Sequence, residues 1–236
     1  MKGKRTDQAE SANPPREAGG RRRNADRSRR QILDAAERLF AERGYDGASL
    51  AQIGKEAQTS AALPAYFFGD KAELYRAAVV RLFADRDEAL GPVCEQALEA
   101  LGPDGGGLRE GLRVLVSGYL SFLQGRPTFV QLMARDALDR ERLEHMDLPR
   151  HSSVFQTGVY RFVSAIPTDE GPAFDADQLM VTIVALCFFP LEHDMTMLAS
   201  MGYRARTEGY ISRRADHVVD LLMHALSPRN LPTTTP

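Results

Sequence analysis

The 236-residue chain is long enough for two folded units, and its 43% hydrophobic and 26% charged residues are those of a globular protein. The longest apolar run, Leu179–Leu191, is interrupted by Thr182 and Pro190 and falls short of the roughly 20 residues a membrane-spanning helix needs. Two cysteines far apart, Cys94 and Cys187, exclude a disulfide framework and fit buried thiols in a reducing cytoplasm, where the absence of a visible secretory leader also places the chain.

The formal net charge of −2 hides a strong asymmetry. Residues 1–30 hold ten Lys and Arg against four acids, a net of +6 that leaves the rest at −8. A basic end on an acidic body points to a polyanion as partner at that end. A solvated tail with no partner explains the same charge equally well.

Taken in chain order, residues 1–25 carry almost no large apolar side chains and are expected to be a disordered basic arm. Asp26 reads as the cap of a first helix, whose stripe Ile32, Leu33, Ala36, Leu39 and Phe40 recurs at helical spacing and stops at Gly44. Ser49 caps a short second helix with Leu50, Ile53 and Ala57, and Ser60 starts a third that runs to about Phe67. Gly69-Asp70 breaks the chain, and Asp70 caps a longer fourth helix with Leu74, Ala77, Ala78 and Leu82, expected to stop near Gly91-Pro92 before a weak segment at 92–101. Further helical stripes follow at Leu108–Phe122, Phe129–Met133, Val154–Val163, about 175–199 and 207–226, with no alternation that would predict a strand. The expected fold is all-α. A three-helix helix-turn-helix domain at 26–72 precedes a larger helical domain at 73–228, and 229–236 form a disordered tail.

Two short helices joined by a tight turn, with Ile53, Ala57 and Leu63 available to lock them, form a helix-turn-helix, although an ordinary αα-hairpin uses the same geometry. The stretch Arg27–Arg81 is more specific. The run ILDAAERLFAERGYDGASL, then Ile53 and Ala57, then Tyr66-Phe67-Phe68 followed by Gly69-Asp70-Lys71-x-Glu73-Leu74-Tyr75, resembles the DNA-binding domain of the TetR family of regulators.

That resemblance implies roles by position. Ser49 would cap the second helix and offer its hydroxyl to a phosphate, helped by the helix N-terminus. Thr59, Ser60, Ala61, Ala62, Ala65 and Tyr66 would face the major groove, and Lys71 would meet a backbone phosphate. The chain departs from the family pattern at Gln58, where Gly is common, at Thr59, at Ala65 in place of an aromatic, and at Pro64 inside the recognition helix. No Arg, Lys, Asn or Gln lies between Thr59 and Phe68, so two-pronged reading of guanine or adenine is missing there. The basic arm is therefore expected to carry an unusual share of the binding, through Arg21, Arg22, Arg23 and Arg27 in a minor groove or on phosphates.

The resemblance further implies a homodimer on a palindromic operator, with the last two helices pairing with their symmetry mates through Val184, Phe188, Ala215, Val218, Val219, Leu222 and Leu226. It also implies a small-molecule inducer held in the larger domain. Phe122, Phe129, Met133, Phe155, Tyr160, Phe162 and Phe189 are candidates to line an apolar pocket for it, and equally candidates to fill a core. No cofactor or metal is called for. His217 and His224, seven apart with Asp220 between, suit a solvated or interface face better than a metal. No phosphate loop, Cys-x-x-Cys pair or nucleophile elbow supports an enzyme. The competing reading is a helical interaction protein whose bare recognition helix has lost sequence-specific binding.

Overall fold

The computed structural model describes residues 16–138, 154–166 and 175–225, and among these the chain is helical with no strand. Helix α1 (Arg16–Gly47) is broken at Gly44, whose φ of 73° ends the regular turn where a residue without Cβ is needed. Helices α2 (Leu50–Glu56), α3 (Leu63–Phe68) and α4 (Lys71–Leu101) follow in quick succession. The rest comprises α5 (Leu108–Gly125), α6 (Pro127–Leu138), α7 (Val154–Ser164), α8 (Ala176–Glu192), the single turn α9 (Met197–Ser200) and α10 (Glu208–Ala225).

Three boundaries differ from the expectation. Helix α1 begins at Arg16, so Asp26 lies inside it and residues 16–25 are helical. Once the stripe from Ile32 has nucleated the helix against the core, each further residue extends it cheaply. Helix α4 runs straight through Gly91-Pro92. Pro92 points to solvent, while Leu90, Cys94, Ala97 and Leu101 are buried around it, so packing outweighs the lost backbone hydrogen bond. The stretch expected as one helix at 175–199 instead breaks at His193, after α8, and restarts as α9.

Local signals set the other ends. The Asp70 carboxylate accepts from the Glu73 amide at 2.9 Å, and Asp175 accepts from the amides of Asp177 and Gln178 at 2.9 and 3.3 Å. Pro127 occupies the first position of α6, where a missing N–H costs nothing.

One core runs through the described residues, from Ile32 and Phe40 of α1 through Leu74 and Tyr75 of α4 to Leu115, Phe162 and Val218. Helix α4 belongs to both halves: its first turns pack on α1 and α3, its remainder on α5 and α7. Arg81 of α4 binds α1 twice, through Nε to Glu37 at 2.5 Å and through a terminal nitrogen to Asp34 at 2.7 Å. Burial raises the Glu37 carboxyl above the usual range, and Arg81 opposes that shift. In the larger half the helices approach closely. A Cβ on Gly111 of α5 would lie 2.5 Å from the Phe162 ring, so α5 and α7 meet only because that position is glycine. Cys94 and Cys187 are both buried and unpaired, as expected. No helix among the described residues is long and apolar enough to cross a membrane.

Candidate nucleic-acid interface

Helix α2 starts in a reciprocal cap. The Gln52 amide donates to the Ser49 hydroxyl oxygen at 3.3 Å, and the Ser49 amide donates to the Gln52 side-chain oxygen at 2.9 Å. Gln52 is a partner the sequence reading missed, although Ser-x-x-Gln before an apolar run is a capping-box signature. Ser49 is exposed at the tip, and its hydroxyl also donates to the Gln52 side-chain oxygen at 3.0 Å.

The turn after α2 is held by three features. Gln58 takes a left-handed conformation (φ 56°) at the position where the resembled family often has Gly. The Thr59 hydroxyl donates to the Gly54 carbonyl at 3.2 Å. Gly54 itself is buried, and a Cβ there would sit 2.8 Å from the Ser60 carbonyl oxygen and 3.1 Å from the Ala61 Cα. Gly54 therefore sets how closely α2 and α3 approach, a role with no signature in one sequence.

Two expectations about α3 need correction. Ser60 is not its cap: the Leu63 amide donates to the Ser60 carbonyl at 3.1 Å, closing a turn, and the helix begins at Leu63 after Ala62. Pro64 still lies in the first turn, buried, where it is tolerated. Thr59 does not face outward either, because it is half-buried and its hydroxyl is committed to the turn. The remaining residues are all exposed: Ser60, Ala61 and Ala62 in the turn, then Ala65 and Tyr66 on the helix. Tyr66 is 80% exposed, an unusual state for an aromatic side chain without a partner surface.

Lys71 is half-buried. Its ammonium donates to the Tyr45 carbonyl at 3.2 Å and lies 4.2 Å from the centre of the Tyr45 ring. It braces the turn between α1 and α2 instead of reaching freely into solvent. Arg22, Arg23 and Arg27 are exposed on the helical extension of α1, and Arg21 lies in the same helix with its side chain outside the described residues. Arg29, not anticipated, stacks over Phe68 at 4.7 Å and fixes the extension beside the end of α3.

The six candidates for a ligand pocket whose side chains are described do not gather around one cavity. Phe122 and Phe129 meet edge to face at 5.2 Å within the core, Met133 is half-buried against it, and Phe162 is fully buried beside Gly111. Tyr160 borders a shallow surface depression with Leu98 and Thr157. Phe189 is 43% exposed on the outer side of α8, against His193. The Phe155 side chain lies outside the described residues.

The pairing candidates divide as well. Ala215, Val218, Val219 and Leu222 turn inward and are buried against the chain's own core, chiefly α5, so they are not a free interface. A stripe of apolar side chains needs one cover, and α5 supplies it. Val184 and Phe188 instead line an open apolar groove on α8 with Met180, Val181 and Phe189. Leu226 lies outside the described residues. His217 and His224 are both on the exposed side of α10, and no three His, Cys, Asp or Glu side chains gather as a metal site among the described residues.

Residues 32–78, which span α1 to the start of α4, match the family of bacterial regulatory proteins described as the tetR family. A curated relative, the HTH-type transcriptional repressor NicS of Pseudomonas putida, is 28% identical over 123 residues, 52% of this chain and 54% of that protein. The chain thus spans about half the length of the curated relative it matches. Among solved structures, a protein from Mesorhizobium loti described as a TetR-family transcriptional regulator superposes with a TM-score of 0.60 at 20% identity, covering 85% of this chain and 97% of that one. The regulator FadR from Bacillus subtilis, solved in complex with stearoyl-CoA, gives a TM-score of 0.56 at 14% identity over 84% and 98% of the two chains. At these identities the structural likeness shows a shared fold. The matched segment coincides with the capped, glycine-locked helix-turn-helix described above, and over these residues the chain is similar to the tetR family of bacterial regulatory proteins.

Proposed function

We propose that the chain is a DNA-binding transcriptional repressor that works as a homodimer in the cytoplasm, holds a palindromic operator, and is released by a small, partly apolar molecule. The observation that carries this reading is the exposed surface of Ala61, Ala62, Ala65 and Tyr66 on a turn and helix held rigidly by Gly54, Gln58 and Thr59. Small methyl-bearing side chains permit close approach to a groove and contact thymine methyls, and Tyr66 adds one hydroxyl. The α2 tip and the arginines of the α1 extension supply the phosphate contacts that fix register.

Pairing is supported by the apolar groove of α8, with Val181 60% exposed and Phe189 43% exposed, and Met195, Met197 and Met201 in the segment after it are exposed as well. Such a patch invites a second copy, and a two-fold pair presents two recognition helices to one palindrome. An inducer with an apolar part is consistent with the aromatic-rich larger half and with the acyl-CoA carried by FadR.

The test is selection of duplexes from random DNA by the purified chain, followed by fluorescence anisotropy. A palindromic consensus is expected, with Tyr66→Ala weakening binding about tenfold or more. Equal affinity for the selected and random duplexes would refute the reading in favour of a helical interaction protein. A compound that raises the melting temperature and dissociates the complex would identify the inducer.

A further inference from the structure

The DNA-reading unit is fastened to the larger half at two places. One is α4, a single helix shared by both. The other is the last turn of α6. There the Arg135 guanidinium donates from Nε to the Ala41 carbonyl at 2.6 Å and from Nη2 to the Glu42 carbonyl at 2.5 Å. These are carbonyls of the final turn of α1 before its break at Gly44, where a helix runs out of intrahelical donors and carries partial negative charge. A guanidinium from 93 residues away thus caps α1 in place of a local residue.

The neighbouring side chain makes a second connection. Asp136 accepts from the hydroxyl of Tyr75 on α4, and the Tyr75 ring packs edge-on against Phe40 at 4.9 Å and Tyr45 at 5.3 Å. Tyr45 is the residue that receives Lys71. Two consecutive residues of α6 therefore hold the point where α1, the turn into α2 and the start of α4 meet. At the other end, Arg126, the residue just before α6, pairs with Asp85 in the middle of α4 at 3.0 Å, and Phe129 of α6 packs on Phe122 in the core.

We propose that Arg135, assisted by Asp136, is the positioning residue that fixes the angle of the helix-turn-helix on the larger half, and so sets the half-site spacing the dimer accepts. The proposal rests on the DNA-binding, two-fold reading above. A rigid unit held by one long helix can swing as that helix bends, whereas a second fastening removes this freedom. Arg135 is itself exposed, so its bonds can break without disturbing the core. Any event in the larger half that shifts the end of α6 then changes the separation of the two recognition helices, the differential property a release mechanism requires.

The experiment compares the unaltered chain with Arg135→Ala, Arg135→Lys and Asp136→Asn on three duplexes: the selected palindrome, the same site with two base pairs inserted at its centre, and an isolated half-site. The insertion moves one half-site by roughly 7 Å and turns it by about 70°. The unaltered chain should lose at least about 100-fold on the expanded site. Arg135→Ala should lose less than about tenfold, with half-site affinity within twofold of the unaltered chain, and Arg135→Lys, able to restore one bond, should fall between them. Spacing discrimination unchanged in Arg135→Ala, or a loss equal on all three duplexes, overturns the proposal, because either marks a residue that only supports local structure. If the unaltered chain prefers no duplex, the DNA-binding reading itself fails and this proposal fails with it.

Discussion

The helix-turn-helix and the larger helical half are built on opposite economies of side chain. In the first, short elements are fixed by caps and backbone bonds (Ser49 with Gln52, Thr59 to the Gly54 carbonyl, Asp70 to the Glu73 amide), which leaves Ala61, Ala65 and Tyr66 exposed. In the second, long helices interlock over fully buried side chains such as Leu112, Leu115 and Phe162, and their charged groups are spent on one another across the surface, as in Arg109 with Asp220 at 2.6 Å. The contrast shows that a surface for a partner is prepared by fixing the backbone locally and keeping side chains free.

The sharpest way to break this contrast is Gly54→Val. Its branched side chain would meet the backbone at Ser60 and Ala61, which cannot yield as a flexible side chain can. We expect operator affinity to drop by more than about two orders of magnitude by anisotropy, while helix content and the molecular mass by light scattering stay unchanged. If affinity survives, the close approach of α2 and α3 does not set the reading surface.

Removing residues 1–24 tests whether the basic extension shares the work. Operator affinity should fall by roughly 10- to 100-fold at low salt, and the slope of log affinity against log salt should flatten by about one for each phosphate no longer neutralised. An unchanged slope would assign those arginines to solvent.

In the larger half, Gly111→Ala should lower stability by about 1–3 kcal/mol through the clash with Phe162, read as a lower melting temperature, with operator affinity of the folded protein unaltered. Ser49→Ala should cost less, about 1 kcal/mol of cap, concentrated in hydrogen exchange of α2.

The smallest effect is expected at the thiols. Burial pushes Cys94 up to about 11 and Cys187 up to about 12, so at pH 8 both stay protonated and enclosed. Neither should react with a thiol reagent until the larger half unfolds. Rapid labelling of native protein would show that half to be looser than its packing indicates.

How much is legible from sequence follows the same division. Gly44, Ser49 and Asp70 act on residues within a few positions, so composition and spacing reveal them. Pro92 misleads because a local breaker is outweighed by Leu90, Cys94 and Ala97 packing on helices far along the chain. Asp26 misleads in the opposite sense, since a cap-forming residue does not stop a helix already growing from Ile32. The stripe Ala215, Val218, Val219 and Leu222 is apolar as its spacing says, yet it is covered from within the chain and is not an open interface. Periodicity reports that a face is covered, and the identity of the cover, here α5, is a long-range fact. Arg135 carries no signal at all, because its partners are backbone carbonyls that any sequence supplies.

The most direct measurement is a footprint of the purified chain over its selected DNA, with stoichiometry measured in the same solution. A two-fold repressor gives two chains per duplex and two protected half-sites whose centres lie about one helical turn, or a whole number of turns, apart. A single chain bound to one unrepeated site, or uniform protection with no boundary, would contradict it.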